Sequence, residues 1–185
     1  MGRAVCAAVT ADADLTLVAA VDQRNARGSI NGVEVSDELE ALTAAHCDVV
    51  VDFTVAEAAL TTLPWLGQHG IHAVVGTTGF TDEDLAVFAS SFGGEADGAG
   101  GPNCLIAPNF AISAVLMMRF AEMAAPWFDT AEVVELHHMR KVDAPSGTAV
   151  KTIERMAAAR TTDFKDDPTE SEMYPGARGG AGPRN

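Results

Sequence analysis

Apolar positions along this 185-residue chain fall into short unbroken runs separated by longer stretches of helical spacing. Leu15 to Val21 is nearly all apolar and ends at Asp22, and Asp48 to Phe53 is rich in β-branched residues. Ile71 to Val75 forms a third run and Cys104 to Ala107 a shorter fourth. Runs of this kind, without clean alternation, predict strands buried on both faces of a parallel sheet. Between them the spacing predicts helices over about 2–11, 55–69, 82–92 and 111–125. Thr81 with Asp84 resembles a capping box that uses Asp in place of the usual Glu or Gln. Gly70 after His69 resembles a helix C-terminal glycine, and Pro64 is expected to kink or end its helix early. The alternating order predicts an α/β fold, a Rossmann-like doubly wound parallel sheet, over residues 1–110.

Two features qualify that picture. The chain opens directly in a helix-like segment, Met1 to Val5, so the first strand of such a sheet is expected to be missing. Within the 111–185 read as a second domain, the composition shifts at about residue 131. From there only one strand, Ala131 to Leu136, and one more helix, 148–160, are predicted before a Gly/Pro-rich end from Tyr174 to Asn185. That is too little for an independent domain. It reads as part of a second α+β domain in a chain truncated at both ends. The glycines between Gly93 and Gly101 read as a loop.

Charge narrows the partners. With 12 basic and 26 acidic residues the net charge is -14, which argues against nucleic acid and anionic membranes, since both need a basic face. An anionic substrate would have to be held by local cations, which draws notice to Arg140 and Lys141. Cys6, Cys47 and Cys104 are odd in number and far apart, with neither a disulfide framework nor metal spacing. They read as small buried apolar residues of a cytoplasmic protein. No apolar run reaches the roughly 20 residues that span a bilayer, and no signal peptide is evident.

Candidate chemistry concentrates in Glu135 to Ala149, where two imidazoles, two cations and a Ser-Gly-Thr turn share fifteen residues. Imidazoles move protons near neutral pH, cations hold anions, and a helix start offers N–H groups to a carboxylate. His137 and His138, adjacent on a strand, point to opposite faces and have no Cys or third His at ligand spacing, which argues against a metal. One is read as acting in proton transfer and the other as binding substrate; packing of one and exposure of the other is the plainer alternative. Lys141 is read as a carboxylate contact or proton donor, against an ordinary surface lysine. Ser146, Gly147 and Thr148 are read as an anion grip, against simple N-capping. Asp22, at a strand end, suits the ribose hydroxyls of a dinucleotide, whereas Arg24 and Arg27 nearby suit a 2′-phosphate. Gly76-Thr77-Thr78-Gly79 and Ala107-Pro108-Asn109-Phe110 sit at two further strand ends, where ligands of open α/β sheets bind. Met117, Met118, Phe120, Trp65 and Trp127 read as packing residues.

Taken together, Glu-x-His-His followed by Lys-x-Asp-Ala-Pro-Ser-Gly-Thr-Ala at 135–149 resembles the signature of the dihydrodipicolinate reductase family. Val75 to Phe80 and Ala107 to Ala111 match two more of its motifs in the expected order, and the resemblance runs from Met1 to about Arg178. It implies NADH- or NADPH-dependent reduction of 4-hydroxy-tetrahydrodipicolinate on the diaminopimelate route to lysine, a small dicarboxylate substrate, and a homotetramer. His137 and Lys141 take the catalytic, proton-handling positions by this resemblance. His138, Lys141, Ser146, Gly147 and Thr148 contact substrate; Met1, Asp22, Gly76, Thr77, Thr78, Ala107, Pro108, Asn109 and Phe110 line the nucleotide. Family members begin with a strand and a glycine-rich phosphate loop, of which only Met1-Gly2-Arg3 is present here. Gln23, where some relatives carry arginine, weakens an NADP-only reading. The alternatives are an inactive fragment of that enzyme and another Rossmann-type dehydrogenase of amino-acid metabolism.

Overall fold

The computed structural model describes residues 1–24, 26, 28–93, 100–139, 141 and 144–183; Arg27, Arg140 and the glycines at 94 and 98 lie outside them. The chain folds as two compact units, Met1–Ala107 and Pro108–Asn185.

The first unit opens with helix α1 (Gly2–Ala11), followed by strands β1 (Ala20–Val21), β2 (Ser29–Ile30) and β3 (Val33–Ser36). Helix α2 (Glu40–Ala44), strand β4 (Val49–Asp52), helix α3 (Ala56–Gln68), strand β5 (His72–Val75), helix α4 (Asp82–Phe92) and strand β6 (Cys104–Ile106) complete it. Strands β4, β5 and β6 are parallel in that order, with α3 and α4 as their crossovers. Register pairs Asp52 with Val75 and Val75 with Ile106, so the three carboxyl ends finish level. This is the Rossmann-like arrangement expected. A second, mixed sheet has the order β1-β3-β2, parallel between β1 and β3 and antiparallel between β2 and β3. Its hairpin turns at Asn31-Gly32, both at positive φ (50° and 84°), a geometry in which Asn and Gly are the favoured residues.

The core of this unit lies between one face of β4–β6 and helices α3 and α4. Ala59, Leu63 and Leu66 of α3, Phe88 and Phe92 of α4, and Ala73 and Val75 of β5 are buried there together. Burial therefore alternates along the strands although the sequence does not: Val49, Val51 and Leu105, on the opposite face, are exposed. The expectation of strands covered on both faces is corrected to one covered face among the described residues. The strand foreseen over 15–21 is likewise reduced to Ala20–Val21, because only two residues of β3 pair with it.

Local signals were mostly legible. Thr81 accepts from the Asp84 amide while Asp84 accepts from the Thr81 amide, which closes the capping box. At the end of α3, Gly70 (φ 72°) donates to Gly67 and Ile71 donates to Leu66, a Schellman ending with Leu66 and Ile71 both buried. Pro64 does not end α3, which runs on to Gln68. Leu63 and Leu66, both fully buried, hold the helix on either side of the missing N–H.

The second unit contains helix α5 (Ile112–Ala124), a 3₁₀ turn (Ala125–Trp127) and helix α6 (Gly147–Ala158), with α5 packed on α6. Arg160, just past α6, fans its guanidinium over the carbonyls of Ala125, Phe128, Thr162 and Asp163 and stacks on the Phe164 ring. Residues 131–136 do not form the expected strand. A strand exists only where a neighbour accepts its backbone hydrogen bonds, and none pairs with this segment among the described residues.

Candidate active site

The residues foreseen for a nucleotide stand largely at strand ends of the first unit. Asp22 follows β1 directly: its amide donates to Ser36, its Oδ1 accepts from the Arg24 amide at 2.8 Å, and the residue is exposed. Gly76 to Gly79 leave the end of β5, with Thr77 buried, Thr78 exposed and Gly79 at φ 93°. Ala107 continues β6, its amide donating to the Val75 carbonyl at 3.0 Å. Met1 precedes α1 and its carbonyl accepts from Ala4 and Val5.

Beneath the Gly76-Thr77 turn lies a support that sequence reasoning missed. Asp52, only 3% exposed, accepts the Thr54 amide at 2.7 Å and faces the Thr77 hydroxyl at 3.5 Å. The Thr77 hydroxyl also donates to the Thr54 carbonyl at 3.2 Å. Its donor capacity is thus spent inside the protein. Gly76 has a packing reason to be small: a Cβ there would lie 2.0 Å from the Phe53 ring. Among the described residues Asp52 Oδ2 is buried without a hydrogen-bond partner. The Asp-Phe-Thr sequence closing the apolar run at 49–51 carried the signal, an acidic residue where a buried strand should stay apolar.

In the second unit, backbone alternation places Glu135 and His137 on one face of an extended segment and His138 on the other. His137 Nδ1 stands 3.8 Å from Glu135 Oε2, both side chains being partly exposed. Both Glu135 oxygens face the Ser146 amide, at 3.0 and 3.2 Å. Hydrogen bonds from Ser146, hydroxyl first and amide second, hold the Glu135 carboxyl below the usual carboxylate range, helped by the charges of His137 and Lys141. Lys141 is half-buried and its amide donates to the His138 carbonyl at 3.1 Å.

Ser146 caps α6, its hydroxyl oxygen accepting from the Ala149 amide at 3.1 Å. Its amide and hydroxyl are therefore both engaged within the chain, whereas the amides of Gly147 and Thr148 belong to the first turn, which has no intrahelical acceptor for them. Asn109 donates its Nδ2 to the Thr148 hydroxyl at 3.4 Å, while its Oδ1 accepts the Ala111 amide at 2.8 Å in the turn that leads into α5. Two motifs read separately, at 107–111 and 135–149, meet at this pair. Pro108 is half-buried beside it and Phe110 is exposed.

The arrangement can hold a carboxylate on the α6 amides and present an exposed imidazole beside a fixed carboxylate. Among the described residues no group of three His, Cys, Asp or Glu is placed to hold a metal, and no helix is long and apolar enough to cross a membrane. Burial raises the thiols of Cys47 and Cys104 above the ordinary cysteine value, with the Asp52 charge adding to the effect at Cys104, so both stay protonated at neutral pH.

Family models place the same division on the chain. Residues 1–110 match the N-terminus of dihydrodipicolinate reductase and residues 113–181 match its C-terminus. The 4-hydroxy-tetrahydrodipicolinate reductase of Corynebacterium diphtheriae is 46% identical over 182 residues, covering 97% of this chain and 66% of its own length. That of Thermobifida fusca is 56% identical over 135 residues, 71% of this chain and 53% of its own. A solved structure of dipicolinate-bound dihydrodipicolinate reductase from Paenisporosarcina sp. TG-14 superposes with a TM-score of 0.68 at 35% identity. It covers 98% of this chain and 71% of that one. The chain thus spans just under two thirds of the first of these relatives and about half of the second.

Proposed function

This chain belongs to the dihydrodipicolinate reductase family, and from that premise we propose that the full-length protein reduces 4-hydroxy-tetrahydrodipicolinate to tetrahydrodipicolinate with NADH or NADPH. The observation that carries the reading is the meeting of Glu135, His137 and the capped start of α6 in one site.

The first unit carries groups suited to two parts of a dinucleotide, its ribose and its nicotinamide. The Asp22 carboxylate at a strand end suits the ribose diol, and the exposed Thr78 with the backbone of Gly76 to Gly79 suits the nicotinamide end. A bound reduced nicotinamide would supply the hydride. The second unit's residues do the rest. The Gly147 and Thr148 amides, at the positive end of α6, grip one substrate carboxylate. His138 and Lys141 contact the dianion and offset the repulsion of an acidic protein. As hydride reaches the C=N carbon, His137 or Lys141 gives the proton that the nitrogen takes up.

Asp22, with Gln23 rather than arginine beside it, favours use of NADH as well as NADPH. By family likeness the full-length protein is a cytoplasmic homotetramer, a state that light scattering measures. The deciding assay is oxidation of NADH or NADPH by the purified full-length protein with freshly prepared substrate. Loss of absorbance at the nicotinamide band is expected; an inert protein refutes the activity. Asp22→Ala should raise KM for NADH more than for NADPH.

A further inference from the structure

Glu135 links two parts of the site, the imidazole of His137 and the start of α6. On one side its carboxylate receives the Ser146 amide and engages the Ser146 hydroxyl; on the other it lies 3.8 Å from His137 Nδ1. In an ordinary capping box the third helical residue supplies a carboxylate to the N-cap amide. Here that residue is Ala149, which has nothing to offer. Glu135, eleven residues before Ser146, fills the role from outside the helix.

We propose that Glu135 is a positioning residue that locks the α6 start and the His137 imidazole into one rigid frame. This rests on the reading of His137 as a proton-handling group and of α6 as a carboxylate grip. With Nδ1 turned to Glu135, the opposite ring nitrogen, Nε2, is the one that exchanges the proton. With Ser146 held, the amides of Gly147 and Thr148 keep a fixed distance from that nitrogen. A carboxylate beside an anion site would ordinarily repel the ligand. Glu135 is tolerated there because the hydrogen bonds from Ser146 and the nearby charge of Lys141 offset its own.

The test uses full-length protein carrying Glu135→Ala or Glu135→Gln, with dipicolinate as the binding probe. Gln keeps an oxygen for the Ser146 amide but loses the charge facing His137; Ala loses both. Displacements near 1 Å can cost about 100-fold in rate, so kcat should fall roughly 10- to 100-fold in both variants. Calorimetry should find dipicolinate binding weakened about tenfold or more by Ala yet kept within about threefold by Gln, one decade being 1.4 kcal/mol. A merely structural role would move affinity and kcat together. Nitrogen NMR of His137, recorded without ligand, should show protonated Nδ1 in wild type and a mixed tautomer in Glu135→Gln. Wild-type kcat in both variants, or an unchanged His137 spectrum in Glu135→Gln, overturns the proposal. If the wild-type protein neither binds dipicolinate nor turns over, the proposed activity fails, while the NMR comparison still decides the role of Glu135.

Discussion

Replacing Gly76 by alanine separates two reasons for a glycine at the end of β5. A Cβ built at Gly76 would lie 2.0, 2.4 and 2.7 Å from three carbons of the Phe53 ring, where ordinary contact begins near 3.4 Å. The ring must therefore retreat by roughly 1.4 Å at a half-buried position, and overpacking of that kind costs about 1–3 kcal/mol. Alanine restricts the unfolded chain and returns roughly 0.4–1 kcal/mol. The clash wins, leaving a net loss of about 1–2 kcal/mol. With a urea slope near 2 kcal/mol/M, the unfolding midpoint should fall by roughly 0.5–1 M. Phe53→Leu removes the obstacle, so in a double-mutant cycle the pair should be more stable than the two single losses imply, by roughly 0.5 kcal/mol or more. All of this is measured without nucleotide. If Gly76→Ala unfolds at the wild-type midpoint and loses only nucleotide affinity, the glycine serves ligand approach and the packing argument is wrong.

Arg160→Lys cannot reproduce a planar fan of hydrogen bonds to four carbonyls. A loss of about 1–3 kcal/mol is expected, read as earlier amide exchange in α6; unchanged exchange would contradict it. Thr81→Ala should cost about 1 kcal/mol by opening the capping box and Thr81→Ser should restore it, as followed by urea unfolding. Glu135 and Glu172 are both held below the ordinary glutamate value of 4.5, Glu135 chiefly by Ser146 and Glu172 chiefly by the amides of Arg178 and Gly176. Their contribution is complete above that value and is lost as pH falls through the lower folded values. Protection factors at Ser146, Gly176 and Arg178 should therefore drop on acidification below 4.5 while those of α3 hold. Constant protection down to full protonation of both carboxylates would refute the linkage.

Where a signal is local, the sequence carried it. Helices α1, α3, α4, α5 and α6 lie where their spacing and caps put them, and the three parallel strands lie within their apolar runs. The β2–β3 hairpin was missed even though Asn31-Gly32 is a strong turn pair and Val33-Glu34-Val35-Ser36 alternates, because strands of two and four residues are too short for the pattern to stand out. The strand expected at 131–136 depended on a partner that composition cannot reveal. In the site, residue types announced the imidazoles and the helix cap. The tasks of Glu135 and Asp52 are set by neighbours 11 and 25 residues away, and spacing alone does not specify those.

The passage from α3 into β5 leaves almost no slack. Ile71 is at once the residue that closes the Schellman ending and the one that hands the chain to His72, the first of β5. Adding or removing one residue there would turn Ala73 and Val75 out of the core and bring Val74 in. The same half-turn would swing Gly76 away from Phe53 and Thr77 away from Asp52. The length of this junction therefore behaves as an alignment pin for a turn six residues downstream. Homologues that vary in loop length should do so elsewhere, and insertions engineered at Gly70 should disable the site before they unfold the sheet.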